Sequence, residues 1–330
     1  MKRRKFINAT ALSGLGFGFS SFGAALDEKK NRSARGTFSL GSNKVSIYST
    51  SAITPTRIFH IADTHLSMDD YRGEPFQEYS DRMGRAYKSN AHFQTEEKVS
   101  AEQSFELTLA LAKEEGVDFL ALTGDIFNFP SEAAIEWAFK KLKETGIPFA
   151  YIAGNHDWHY EGMKGSSRQL RDTWTKRLKV MYQGNQVLYA TYDFNGIRFV
   201  CIDNSTYEIS PKQLEFFKAQ VKSNIPFLLL IHIPLYMPGR PIGFGCANPE
   251  WSAESDRNYE IERREKWREG GHTKVTMEFY DEVFNASNLL AILAGHTHRQ
   301  TLDVKNDIPQ LVSPYNARGS FLDISIASMP

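Results

Sequence analysis

The sequence predicts an α/β fold with mixed sheets, on three observations. Short apolar runs bounded by turn residues read as strands buried on both faces. Helical periodicities lie between several of these runs. Two hairpin signals break the alternation, so antiparallel pairs are expected beside parallel ones.

In chain order, Lys2-Arg3-Arg4-Lys5 precedes a largely apolar or small stretch from Phe6 to Phe22, and Gly23-Ala24-Ala25 resembles a small-residue cleavage site. Residues 1–25 therefore read as a signal peptide whose paired arginines resemble a twin-arginine signal. The stretch is short and broken by Gly14, Gly16 and Gly18, so cleavage and export to the periplasm or medium are expected, with no stable membrane span afterwards. Residues 26–36 are polar and read as a tether, and residues 37–330 as one domain. Thr37-Phe38-Ser39-Leu40 and Val45-Ser46-Ile47-Tyr48 flank Gly41-Ser42-Asn43 as a hairpin. Residues 100–115 place Phe105, Leu109 and Ala112 on one helical face, and residues 132–145 do the same with Ile135, Ala138 and Leu142 before Gly146. Asn195-Gly196 marks a second hairpin within residues 192–202. Ser210-Pro211-Lys212-Gln213 is a capping-box start with proline at the first helical position. Segments 66–98 and 235–272 fit no alternation and read as long insert loops overhanging one edge of the sheets.

Lys+Arg and Asp+Glu both number 39, so no broad basic face for long nucleic acid is expected. Loss of residues 1–25 would leave the remainder about four charges negative. The two cysteines, Cys201 in a strand-like run and Cys246 in a Gly/Pro-rich loop, give no disulfide framework, and their pairing stays open.

Five of the apolar runs end on residues able to bind a metal. Arg57-Ile58-Phe59-His60-Ile61-Ala62 leads to Asp63 and His65, and the run from Phe119 to Thr123 leads through Gly124 to Asp125. The run from Phe149 to Ala153 leads through Gly154 to Asn155, His156 and Asp157. Phe227-Leu228-Leu229-Leu230-Ile231 ends at His232, and Leu289-Leu290-Ala291-Ile292-Leu293-Ala294 leads through Gly295 to His296 and His298. Ligands bind beyond the carboxyl ends of strands in open α/β sheets, so carboxylate, carboxamide and imidazole are expected to meet at one edge. The glycines would let the chain turn sharply at each strand end. His60, His92, His159 and His272 fall outside the pattern and read as structural.

Asp-x-His, Gly-Asp, Gly-Asn-His-Asp, a lone His and Gly-His-x-His, in this order, resemble the calcineurin-like metallophosphoesterase superfamily over roughly residues 55–300. The resemblance implies two packed mixed β-sheets flanked by helices in four layers, α/β/β/α, with a dinuclear centre. Asp63, His65 and His298 would hold one ion, Asn155, His232 and His296 the other, and Asp125 would bridge them. Nitrogen and oxygen ligands without a thiol suit Mn, Fe or Zn. Two such ions bring the pKa of bound water towards neutrality, so the expected reaction is direct in-line attack of metal-bound hydroxide on a small phosphodiester or phosphomonoester. His156 would be the general acid for the leaving oxygen, with Asp157 orienting it or holding a neighbouring group. Arg240, on the Gly/Pro turn after His232, is the candidate substrate contact.

Departures narrow the branch. Purple acid phosphatases of the same superfamily carry Asp-x-Gly and a tyrosine after Gly-Asp, where this chain has His65 and Ile126-Phe127-Asn128-Phe129. Ser/Thr protein phosphatases place Asp and a phosphate-binding Arg after Gly-Asp, and both are missing here. The pattern looks closer to the bacterial branch that includes cyclic-nucleotide and other small phosphodiesterases. A binding scaffold of the same fold is the non-enzymatic alternative. Substrate, metal identity and oligomeric state are not readable from the sequence.

Overall fold

The two hairpin signals and the five apolar runs become the frame of two six-stranded mixed sheets in a computed structural model that describes residues 36–87, 90–238 and 272–329. The first hairpin pairs β1 (Gly36–Gly41) with β2 (Lys44–Ser49), and β3 (Thr56–Ile61) carries the first apolar run. Then come α1 (Gln77–Ala86), the short ribbon of β4 (Asn90–Ala91) and β5 (Lys98–Val99), and α2 (Ala101–Glu114). β6 (Phe119–Leu122), α3 (Glu132–Thr145), β7 (Phe149–Tyr151) and α4 (Ser167–Trp174) follow. The second hairpin joins β8 (Tyr189–Phe194) to β9 (Ile197–Ile202). After it run α5 (Pro211–Lys222), β10 (Phe227–Leu230), α6 (Lys274–Asn285) and β11 (Leu289–Ala294). The hairpin of β12 (Thr301–Lys305) and β13 (Ile308–Val312) precedes β14 (Leu322–Ser328).

The first sheet has the order β1-β2-β14-β3-β6-β7 and the second β12-β13-β11-β10-β9-β8. β3, β6 and β7 are mutually parallel, as are β9, β10, β11 and β13. β14 lies parallel to β2 and antiparallel to β3. Alternation along the strands explains why their sequences are apolar throughout. Phe119 and Ala121 of β6, with Leu228 and Leu230 of β10, fill the space between the sheets, where Phe119 stacks on Phe199 at 4.0 Å. Leu120 and Leu122 face α2 and α3, while Leu229 and Ile231 face α5 and α6. Each fully buried Leu, Ile or Phe contributes about 1.5–3 kcal/mol, so three apolar layers stabilise the four-layer α/β/β/α stack.

The helices begin and end where their caps require. Ser100 and Ser210 close capping boxes with Gln103 and Gln213, and Gly146 ends α3 in the left-handed conformation at φ +73°. Asn195 and Gly196 take the paired positive φ values, +51° and +84°, that a two-residue hairpin turn needs. Segment 66–98 differs from the expected loop. It holds a 3₁₀ turn (Tyr71–Phe76), α1 and the β4–β5 ribbon, with Met83 buried to 2% exposure. Only Tyr79 and Met83 are large apolar residues in α1, too few to reveal a periodic face. Of the tether, Gly36 belongs to β1. Residues 1–35 and most of the 235–272 insert, including Arg240 and Cys246, lie outside the described residues. Cys201 is a buried free thiol in the sandwich, pushed up in pKa by burial. Among the described residues no helix is long and apolar enough to cross a membrane.

Candidate metal centre

The expected ligand row turns out to be drawn from both sheets. β3, β6 and β7 bring theirs from the first and β10 and β11 from the second. Backbone bonds zip the strand ends together: Asp63 N–H donates to the Gly124 carbonyl (3.0 Å), His65 N–H to that of Asp125 (2.9 Å), and Gly295 N–H to that of His232 (2.9 Å). The His296 N–H reaches both carboxylate oxygens of Asp63, at 3.0 and 2.9 Å, and so ties the second sheet's loop to the first.

Asp63, His65, Asp125, His296 and His298 all have positive φ, between +50° and +71°. Such conformations cost roughly 1–3 kcal/mol each in non-glycine residues and persist where the surroundings enforce them, typically at functional sites. Asp-x-His and His-x-His are therefore paired left-handed kinks that aim two side chains into the same crevice. Gly124 turns as expected, at φ +91°. Gly154 has another reason to be glycine: a Cβ there would stand 2.1 Å from Asp125 Oδ1 and 2.5 Å from the Asp125 nitrogen. Gly154→Ala is expected to displace Asp125, lower stability by about 1–3 kcal/mol and weaken metal binding. Urea unfolding of the metal-free protein and a metal titration would check it.

Three groups of side chains present one ligand atom each within 4.8 Å of one another: Asp63, His65 and His298; His65, Asp125 and His156; and Asp125, His232 and His296. His65 Nε2 lies 3.1 Å from His298 Nε2, and His298 Nε2 lies 3.5 Å from Asp63 Oδ1. Asp125 Oδ1 accepts the His156 N–H at 2.8 Å. Its Oδ2 stands 3.2 Å from His232 Nε2 and 4.0 Å from His65 Nε2, between the two histidine groups. His232 Nδ1 donates to the Thr123 carbonyl (2.8 Å), which leaves Nε2 facing the Asp125 carboxylate oxygen, fully buried and without hydrogen-bond geometry. A carboxylate and a ring nitrogen brought together away from water suit a cation, either a proton on His232 or a metal ion. The donor set fits divalent Mn, Fe or Zn. Asn155, between Gly154 and His156 in the chain, is fully buried.

Protonation behaviour agrees with that demand. Burial pushes Asp125 upwards, but the charges of His232, His156 and His65 outweigh it and hold the carboxyl well below its usual range. Burial holds the His65 imidazole well below the usual histidine range. Burial also lowers His232, yet the adjacent Asp125 carboxylate reverses this and raises it to about 9. An ion bound at His232 would have to displace that proton at neutral pH. Affinity of the ion facing His232 is expected to rise about tenfold per pH unit up to about 9, then level off. Metal titrations at three buffered pH values would measure the slope, and a flat profile would contradict it.

Asp157 and His156 part company in the structure. Asp157 is fully buried and accepts the N–H groups of Asp125 (3.0 Å), Phe127 (2.7 Å) and Gly154 (2.7 Å). It braces the loop that carries Asp125, while the His156 ring is oriented through Nδ1 by the Asn128 carbonyl at 3.1 Å. Asn128 is anchored in turn by its Nδ2 to the Met83 carbonyl (2.8 Å) at the end of α1. Among the histidines outside the pattern, His60 bonds Thr123 Oγ1 at 2.7 Å inside the sheet and His272 pairs with Glu208 at 3.2 Å.

Three tyrosines at the site carried no signal in the sequence. Tyr87, from the first insert, stacks on His65 with ring centroids 3.9 Å apart and 11° between planes. Tyr315 stacks on His298 at 4.4 Å and 17°. The Tyr207 hydroxyl lies 3.0 Å from His296 Nε2.

Fold and cluster define a four-layer α/β/β/α protein with a buried Asp/His crevice at the strand ends. The chain matches the family model of calcineurin-like phosphoesterases over residues 56–300, from β3 to just past His298, and belongs to that family. It is 24% identical over 205 residues to a probable cyclic nucleotide phosphodiesterase of Psychrobacter arcticus, covering 60% of this chain and 63% of the relative. It is 33% identical over 110 residues to the DNA double-strand break repair protein Mre11 of Sulfurisphaera tokodaii, covering 32% of this chain and 23% of the relative. The alignments thus span less than two thirds of either relative's length. A dimetal phosphatase from Danio rerio has the same fold, with a TM-score of 0.50 at 11% identity over 83% of this chain and 99% of that one.

Proposed function

We propose that this protein is a hydrolase of small phosphoesters that works with two divalent metal ions. The observation that carries the reading is Asp125 Oδ2, poised between His232 and His65 while Oδ1 is tied to the backbone of His156. Asp63, His65 and His298 would hold one ion, and Asn155, His232 and His296 the other, with Asp125 shared. Bound ions supply Lewis-acid activation of water and of the phosphoryl oxygens. The side chains do the rest. As the imidazolium, with Nδ1–H held by the Asn128 carbonyl, His156 would give its Nε2 proton to the leaving oxygen and end as the neutral ring. Asp157 keeps the Asp125 loop in register.

The Psychrobacter relative supports a second, narrower reading, in which the diester is a cyclic nucleotide. Residues 1–25 read as an export signal, and we place the mature protein outside the cytoplasm on that basis; the N-terminal mass of protein recovered from the periplasm would test the cleavage. The activity test strips the metal from the chain, restores Mn or Zn, and offers nitrophenyl phosphate, bis-nitrophenyl phosphate and cyclic nucleotides. Metal-dependent turnover abolished by chelator supports the proposal. Bound metal with no turnover of any ester would leave a binding scaffold in its place.

A further inference from the structure

β9 runs beside β10 in the second sheet, and its carboxyl end opens on the same edge with Asp203 and Asn204, though Asp203 joins none of the Asp/His groups described above. Its loop instead reaches the two histidines assigned above to one ion. Asn204 Oδ1 accepts the N–H groups of His232 (3.1 Å) and Ile233 (3.0 Å), and its Nδ2 donates to the Ile233 carbonyl (2.6 Å). Asn204 is fully buried, so these bonds fix the backbone at His232. Three residues later Tyr207, 2% exposed, bends back at φ +63° and closes a turn through its N–H to the Asn204 carbonyl (2.8 Å). That turn brings the phenol oxygen to His296 Nε2 at 3.0 Å.

We infer that the loop after β9, residues 203–207, positions the His232 and His296 ligands, with Tyr207 selecting the ring tautomer of His296. The inference rests on the reading of both histidines as ligands. A neutral imidazole carries one N–H. The Tyr207 hydroxyl can accept or donate at His296 Nε2; as acceptor it holds that hydrogen on Nε2 and leaves Nδ1 as the nitrogen for an ion. His232 is fixed the opposite way, since its Nδ1 donates to the Thr123 carbonyl and Nε2 faces Asp125. The two rings meet edge to face, centroids 5.2 Å apart, and each has a ring nitrogen within 4.8 Å of the other's and of an Asp125 oxygen. Partners that hold a ligating histidine by its other nitrogen fix its orientation and raise its basicity. Tyr207 is thus a positioning residue, acting through His296.

The test compares the metal-stripped chain and its Tyr207→Phe variant, each titrated with Mn²⁺ by electron paramagnetic resonance. Wild type is expected to bind two ions. The variant should bind one of them about 10–100-fold more weakly and the other unchanged. ¹⁵N spectra of the metal-free proteins should show His296 as the Nε2–H tautomer in wild type and a shift towards Nδ1–H in the variant. Melting of the metal-free proteins should coincide. Two unchanged binding steps with an unchanged tautomer would overturn the inference alone, as would equal weakening of both steps with a lowered metal-free melting temperature. A wild-type protein that binds no Mn²⁺ would remove the ligand reading and this inference with it.

Discussion

Asp125→Asn is expected to leave the fold intact and to weaken binding of both ions by at least about 100-fold, the upper end of what loss of a mere outer-shell partner costs. Fold survives because the amide oxygen can still accept the His156 N–H that Oδ1 accepts now. Binding fails because the shared charge is gone. The same substitution should reveal what the carboxylate does to its neighbour. His232 stands at about 9 because Asp125 overrides the effect of burial, so removing that charge should drop His232 below its ordinary value. Metal titration, melting of the metal-free protein and histidine NMR would read the three effects. Retained affinity for both ions would remove Asp125 from the centre.

His156→Ala is expected to keep both ions and to lower turnover of an alkyl phosphodiester by about 10²–10⁴-fold, the usual worth of a placed general acid. A nitrophenyl ester should suffer much less, because nitrophenolate leaves without help from a proton. That contrast separates acid catalysis from ligation, which matters because His156 also groups with His65 and Asp125 within 4.8 Å. Loss of an ion in the variant, with both esters equally slowed, would make His156 a ligand instead.

The five strands that end on metal-type residues were legible because strands covered on both faces must be apolar throughout, and here each run stops abruptly at Gly, Asp or His. α2 was legible through the spacing of Phe105, Leu109 and Ala112, α3 through its own face and Gly146, and α5 through the Ser210 capping box. The hairpin of β12 and β13 was missed. It is an edge element, β12 is only half buried, and its turn uses Asn306-Asp307 at φ +51° and +64° in place of Asn-Gly. Segment 66–98 hid α1 because a helix with two large apolar residues looks like a loop. At the site, the metal-type residues announced themselves by spacing, whereas Tyr87, Tyr207 and Tyr315 did not. Their contributions are a ring face or a hydroxyl whose position depends on how separate loops fold back. Asp157 was visible but its work was not, since three backbone N–H acceptor contacts leave no trace in residue type.

The insertion of β14 between β2 and β3 has a consequence in time. β3 carries Asp63 and His65, and one of its two edges is occupied by β14, with Leu322 opposite His60 and Ile324 opposite Ile58. A chain emerging from its N-terminal side makes β3 early and leaves that edge bare until residues 322–328 arrive. Tyr315, and the N–H groups of Asn316 and Ala317 that grip the carbonyls of Ala62 and Asp63, arrive equally late. Pairings between such distant segments slow folding, and an unpaired edge invites foreign strands while it waits. The crevice is therefore among the last parts of the molecule to become whole, and an ion offered during synthesis would meet Asp63 and His65 well before His296 and His298 exist.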